Sequence, residues 1–115
     1  MLKTLKLLQD SPAVKSFEII DFKSGKNFYY LKIKAEISNS TTLFIREYLS
    51  QNEHNYSFHW QRETCDLLMR WDNSPHHERV KTFPHHRHLS DGLVLESYEI
   101  SVEKVLDFIS KTVGT

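Results

Sequence analysis

The strongest constraint on the fold is a strict alternation of side chains between residues 28 and 37. One set of alternate positions is apolar or aromatic, namely Tyr29, Leu31, Ile33, Ala35 and Ile37. The other set is mostly polar, namely Phe28, Tyr30, Lys32, Lys34 and Glu36. A period of two is typical of a β-strand with one buried face. A polar turn at 38–41 leads to a second alternating segment at 42–49, so the two predict an antiparallel hairpin.

Shorter extended segments continue this pattern on both sides of the hairpin. They are separated by polar turns or loops and cover residues 14–21, 56–61, 66–72, 83–88 and 93–95. Residues 51–55 and 62–65 read as turns, and residues 73–82 read as a loop. The alternation therefore predicts an antiparallel meander of four or more strands, because neighbouring strands joined by short turns pair with each other.

A helix is predicted at each end of the chain. Near the start, Leu2, Leu5 and Leu8 recur at helical spacing before Pro12, which ends the helix. Near the end, Ser101 can accept a hydrogen bond as an N-cap, and an apolar stripe follows: Val102, Val105, Leu106, Ile109 and Val113. We expect a single α+β domain over residues 1–115, with both helices on one face of a twisted sheet and the other face available for function.

The charge balance, cysteine content and apolar runs of the chain limit the binding partners and the cellular compartment that we expect. The 15 basic and 15 acidic residues cancel, which argues against tight non-specific binding to a polyanion or a membrane but allows a local basic patch. Cys65 is the only cysteine, so no internal disulfide can form and a reducing compartment is expected. Lys3 and Lys6 interrupt the apolar start of the chain, and no apolar run approaches membrane-spanning length. We therefore expect a cytoplasmic protein.

All seven histidines lie between residues 54 and 88, in a segment that also contains four arginines. Two histidines and an arginine suffice to cleave RNA without a metal, by moving two protons and stabilising the charge on the phosphate. The candidate catalytic residues are His59, Arg70, Asp72, His76, His77, His85, His86 and His88. The candidate substrate-binding residues are Arg46, Tyr48, Tyr56, Trp71 and Arg87. Arg70 is the predicted phosphate clamp and Asp72 the group that orients a histidine.

Other interpretations of the same segment compete with RNA cleavage. His86 and His88 share one face of a strand and could hold a metal with Asp72 or His76, but the spacing matches no established zinc signature, so no metal cofactor is expected. Single histidines, His54 above all, could simply be solvated or bonded to the backbone, and Trp60 and Trp71 could be packing residues. The whole domain could also be a non-catalytic scaffold that docks a partner protein or nucleic acid.

Four motifs resemble the TumE-type toxin family of prokaryotic toxin–antitoxin modules. They are Phe44–Tyr48, Tyr56–Gln61, Arg70–His77 and Phe83–His88, and the resemblance covers nearly the whole chain. It implies a toxin that is held in check by an antitoxin, commonly a DNA-binding protein encoded beside it. It does not specify the chemistry, so cleavage of RNA is our inference from the residues, and a homodimer is left open.

Overall fold

The computed structural model describes residues 2–114, without the side chain of Leu2. Seven strands follow one short helix: α1 (Leu2–Asp10), β1 (Val14–Gly25), β2 (Phe28–Ile37), β3 (Thr42–Ser50), β4 (His54–Gln61), β5 (Leu67–Asp72), β6 (His86–Leu89) and β7 (Val94–Glu96). A second helix, α2 (Val102–Val113), ends the fold. The predicted place of Leu2 in the first apolar stripe lies outside the described side chains.

The strands pair in chain order, each antiparallel to the next, in one seven-stranded sheet. The register aligns apolar side chains across the middle of the sheet, where Ile33 faces Ile45 and Ile45 faces Phe58. All three are fully buried. The predicted α+β meander is therefore confirmed, and the alternation in β2 and β3 does separate a buried face from a more polar one.

Both helices pack on the same face of the sheet, which we call the helix-covered face. Leu8 of α1 and Val105 and Ile109 of α2 join the core, and the Phe108 ring meets Trp60 and Trp71 edge-on. The Ser101 hydroxyl accepts a hydrogen bond from the Lys104 backbone amide, as the N-cap prediction required. The opposite side of the sheet, called the open face, carries the polar set of the alternating residues.

The boundaries differ from prediction in three main places. β1 continues to Gly25 instead of ending at residue 21. β4 begins at His54 rather than Tyr56, because the Ser50 amide donates to the Glu53 carbonyl and closes a tighter turn. The segment 83–88 is extended only from His86. Before it, the amides of Phe83 and His85 donate to the carbonyls of Val80 and Thr82, which curls this part of the chain into turns.

The first strand forms one edge of the sheet. Within residues 2–114 it pairs only with β2, and its side chains Ile19, Ile20 and Phe22 are 41–47% exposed. Its register against β2 is interrupted twice, between Val14 and Ser16 and between Ile19 and Asp21. Neither described helix is long and apolar enough to cross a membrane.

The core should depend strongly on Phe58, whose side chain is fully buried. We expect Phe58→Ala to lower the free energy of unfolding by about 3–5 kcal/mol, because it removes a large apolar group and leaves a cavity. Phe22→Ala is the matched control, since the same truncation at an exposed position should cost less than about 1 kcal/mol. Urea unfolding followed by circular dichroism measures both, and equal losses would contradict the placement of the core.

Candidate functional site

Two rows of side chains cross the open face because of the strand register. One row runs through Lys34, Phe44, His59, Arg70 and His88. The next row runs through Lys32, Arg46, Ser57, Asp72 and His86. Adjacent strands are about 4.8 Å apart, so neighbours in a row are within reach of each other. Residues far apart in sequence are thus brought onto one surface.

The Asp72 carboxylate is the centre of this surface. Its side chain is only 5% exposed, and Oδ1 accepts hydrogen bonds from the Ser74 amide and hydroxyl at 3.0 and 2.9 Å. Oδ2 accepts from Arg70 Nε at 3.0 Å. Burial raises the pKa of this carboxyl, but the bonds from Ser74 and Arg70, with His86 nearby, outweigh burial and lower the pKa below its ordinary value. Asp72 is therefore an anion at neutral pH.

Arg70 is held from two sides. Its Nε donates to Asp72, and its Nη1 lies 3.2 Å from His59 Nδ1. These contacts use two of the five N–H donors of the guanidinium, and the side chain remains 36% exposed. A fixed guanidinium with outward donors suits bidentate binding of a phosphate, because little side-chain freedom is left to lose.

His59 is neutral in this arrangement. Arginine can only donate, so His59 Nδ1 accepts from Arg70, and His59 Nε2 carries the proton and donates to Gln61 Oε1 at 3.0 Å. Burial and the charge of Arg70 lower the pKa of His59, while the bond to Gln61 opposes them. To take up a proton at Nδ1, His59 has to release Arg70.

A basic groove runs along the open face beside these residues. It consists of two adjoining clefts of about 380 and 240 Å³ that share Arg46, Ser57 and Arg70. Tyr30 and Tyr48 line the first cleft, and Lys32 and Phe44 line the second. Cations interleaved with aromatic rings are the arrangement that binds single-stranded nucleic acid. Ser57 and Lys32 are not among the site residues predicted from the sequence, although the alternation places Lys32 in the polar set of β2, opposite Arg46.

Three histidine rings meet at the end of the groove beyond Asp72. His77, from the loop between β5 and β6, contacts His86 and His88 of β6, with ring centroids 4.7 and 5.3 Å apart. His86 Nε2 and His88 Nε2 lie 2.9 and 3.3 Å from the Asp72 carboxylate. We call these residues the three-histidine cluster. Burial lowers the pKa of His88 although Asp72 opposes the shift.

Other predicted site residues lie elsewhere. Tyr56 borders the first cleft of the groove. The Tyr56 and Trp71 side chains nevertheless belong to the helix-covered face and are 4% and 3% exposed, so neither ring can reach a ligand in the groove. His85 Nδ1 lies 2.9 Å from the Tyr56 hydroxyl and its ring stacks on Tyr56, away from the cluster. Arg87 pairs with Trp71 across the strands and shares its side of the sheet. His76 is exposed in the loop beside His77.

A cavity of about 520 Å³ on the other side of the sheet is larger than either cleft. It lies between the helices and the sheet, and His54 there contacts Glu99 at 3.0 Å and Glu47 at 3.3 Å. Its lining lacks the arginines and the histidine cluster, so we base the candidate site on the open face despite the smaller clefts. The expectation that His54 is solvated or bonded to the backbone differs from these contacts, which join its two ring nitrogens to carboxylate side chains.

A comparison with models of protein families identifies the group to which the chain belongs. A family model described as Toxin TumE matches residues 4–113, nearly the whole chain. The chain belongs to the TumE toxin family. The TumE resemblance seen in the motifs is thereby confirmed, and membership makes the chain a toxin component of a toxin–antitoxin module with an antitoxin as its partner. Searches of curated proteins and of solved structures found no significant match.

The lowered pKa of His59 predicts a pH effect on stability. An unfolded histidine has a pKa of about 6.5, whereas the folded pKa of His59 is lower. The unfolded chain therefore binds more protons as the pH falls from about 7.5 to 5.5, and the folded state loses stability over that range. His59→Gln should lose less stability than the wild type between these two pH values, as measured by urea unfolding. An identical pH dependence in both proteins would show that His59 is not buried beside Arg70.

Proposed function

We propose that this toxin cleaves RNA by acid–base catalysis on the open face, with Arg70 binding the phosphate. The observation that carries the proposal is the fixed position of Arg70, which is bonded to Asp72 on one side and to His59 on the other. Arg46 lines the same groove and adds a second cation. His59 and His88 occupy the strands on either side of Arg70, so a phosphate bound there lies between two imidazoles.

The proposed reaction needs no metal ion at the phosphate. A base removes the proton from the ribose 2′-hydroxyl, and the 2′-oxygen attacks the adjacent phosphorus. The bond from phosphorus to the 5′-oxygen breaks, and an acid protonates that oxygen as it leaves. The products are a 2′,3′-cyclic phosphate and a 5′-hydroxyl end. Arg70 stabilises the negative charge that builds up on the phosphate oxygens.

Binding of a single strand is supported by the lining of the groove. Tyr30 and Tyr48 offer rings on which bases can stack, and Lys32 and Arg46 offer charge for the backbone. Because the whole chain has no net charge, affinity for RNA has to come from this groove. We include in the proposal an antitoxin that binds DNA and a site of action in the cytoplasm. A homodimer stays a prediction.

The phosphate clamp is tested by Arg70→Lys, which keeps the positive charge and removes the planar fork. We expect cleavage of a long unstructured RNA to slow by a factor on the order of a hundred or more, because one preorganised donor pair is lost. Arg62→Lys is the matched control, since Arg62 is exposed in the turn between β4 and β5 and should leave the rate unchanged. Circular dichroism checks that both variants fold.

The outcomes of the cleavage assay separate the parts of the proposal. Wild-type rates in Arg70→Lys would remove Arg70 from the mechanism. RNA binding without cleavage by the wild type would favour a non-catalytic interaction protein. No effect on any RNA tried would overturn the ribonuclease proposal and leave family membership unaffected.

Toxicity should depend on the same arginine. Expression of the wild-type chain alone should slow growth of the host, and co-expression of the antitoxin encoded beside it should restore growth. Arg70→Lys should permit growth without the antitoxin while accumulating as folded protein. Growth curves and immunoblots measure this result. Equal growth arrest by the wild type and Arg70→Lys would mean that toxicity does not use the proposed clamp.

A further inference from the structure

The three-histidine cluster brings together three ring nitrogens from two segments of the chain. His86 and His88 lie two residues apart on β6, with ring centroids 4.9 Å apart, and His77 approaches both from the preceding loop. One nitrogen of each ring lies within 4.8 Å of the other two. The Asp72 carboxylate adjoins His86 and His88. A compact set of imidazoles beside an anion is a chemical environment for a cation.

His86 provides a second observation, because it is only 1% exposed and one of its nitrogens has no satisfactory partner. Its Nδ1 lies 2.9 Å from the Pro84 carbonyl oxygen, which can only accept, so Nδ1 carries the proton and donates. In the neutral ring, Nε2 then has a lone pair. Within residues 2–114 this nitrogen makes no hydrogen bond. Asp72 Oδ1 lies 2.9 Å away, but the two groups do not form a hydrogen bond.

The buried Nε2 nitrogen of His86 lacks a hydrogen-bond partner among the described residues. A buried lone pair next to a carboxylate oxygen is costly, because neither group can donate to the other. One divalent ion accepts three lone pairs at once. A carbonyl that fixes the far nitrogen of the ring, as Pro84 does for His86, is also typical of metal-ligating histidines.

We propose that His77, His86 and His88 bind a divalent transition-metal ion, with zinc as the best chemical match, next to the Asp72 carboxylate. Neutral imidazole is a preferred ligand of zinc, and bonds of about 2.0–2.1 Å would require only a modest contraction of the three nitrogens. The sequence favoured a metal-free site because its histidine spacing matches no established zinc signature, and the sequence does not reveal the path of the loop that contains His77. The geometry leads to the opposite proposal.

An ion at this position would tie the loop between β5 and β6 to β6 itself. It would also add positive charge beside Asp72 and Arg70. As a ligand, His88 would no longer transfer protons, so His59 would be the remaining imidazole next to Arg70. The metal site does not require that the substrate be RNA, because its evidence is confined to the histidines and Asp72.

The test is a zinc titration of the full chain after removal of metal by a chelator, in competition with a chromogenic chelator. We expect one ion per chain in the wild type. His77→Ala should weaken binding at least about tenfold, because a ligand is lost. His76→Ala is the matched control, since it removes the exposed neighbouring histidine from the same loop and should leave affinity unchanged. His77 is partly exposed in a loop, so its removal should spare the core.

A second measurement tests the same site by the effect of zinc on the unfolding temperature. Zinc should raise the unfolding temperature of the wild type and of His76→Ala, because the ion binds the folded state, and should raise that of His77→Ala much less. Failure of the wild type to bind stoichiometric zinc would overturn the proposal, as would equal affinity in the two variants. Both readouts omit RNA, so a failed cleavage assay leaves the metal site standing, and a failed titration leaves the proposed cleavage standing.

Discussion

The buried carboxylate of Asp72 connects the central polar groups of the candidate site, namely Arg70, Ser74, His86 and His88. It lies at the end of β5, where Ser74 bonds back to it through both amide and hydroxyl. With its charge thus stabilised, it holds Arg70 in place and lies beside the Nε2 nitrogens of His86 and His88. An unpaired buried charge would be strongly unfavourable, so these partners and the carboxylate require each other. The Asp72 carboxylate thus connects β5 to the loop that follows it.

Side chains on the two faces of the sheet have different roles. Those on the helix-covered face form the core, and those on the open face form the candidate site. Along β4, Tyr56, Phe58 and Trp60 point to the helices, while Ser57 and His59 point to the open face. Pairing between strands then assembles functional rows from residues that are distant in sequence. Because β-strand neighbours are fixed by register, a one-residue slip would exchange core and site at the same time. Stability of the core and integrity of the site are therefore coupled.

Strand alternation was sufficient to predict the meander, since a half-buried strand has to repeat with a period of two. The same reasoning grouped Arg46 with His59 and Arg70. It could not place the histidines of the loop, because the path of the loop depends on bonds such as those of the Thr82 hydroxyl, which donates to the nearby His85 carbonyl and accepts from the distant Ser97 amide. Of the histidines predicted for one site, His77 contacts His86 and His88, whereas His85 lies against Tyr56. Trp71 was a candidate substrate-binding residue, but its side chain is buried in the core. A tryptophan at this position suits a core and a binding surface equally well, so the sequence did not distinguish the two.

The interrupted edge strand β1 has a consequence for how copies of the chain behave in solution. An open edge offers backbone groups to any extended segment, and here it also displays Ile19, Ile20 and Phe22. A chain with no net charge has little long-range repulsion to keep its copies apart. The two irregularities in β1 and its charged side chains Lys15, Glu18 and Lys23 are local obstacles to a straight, continuous ladder. These features of β1 therefore oppose association of the chains through this edge of the sheet.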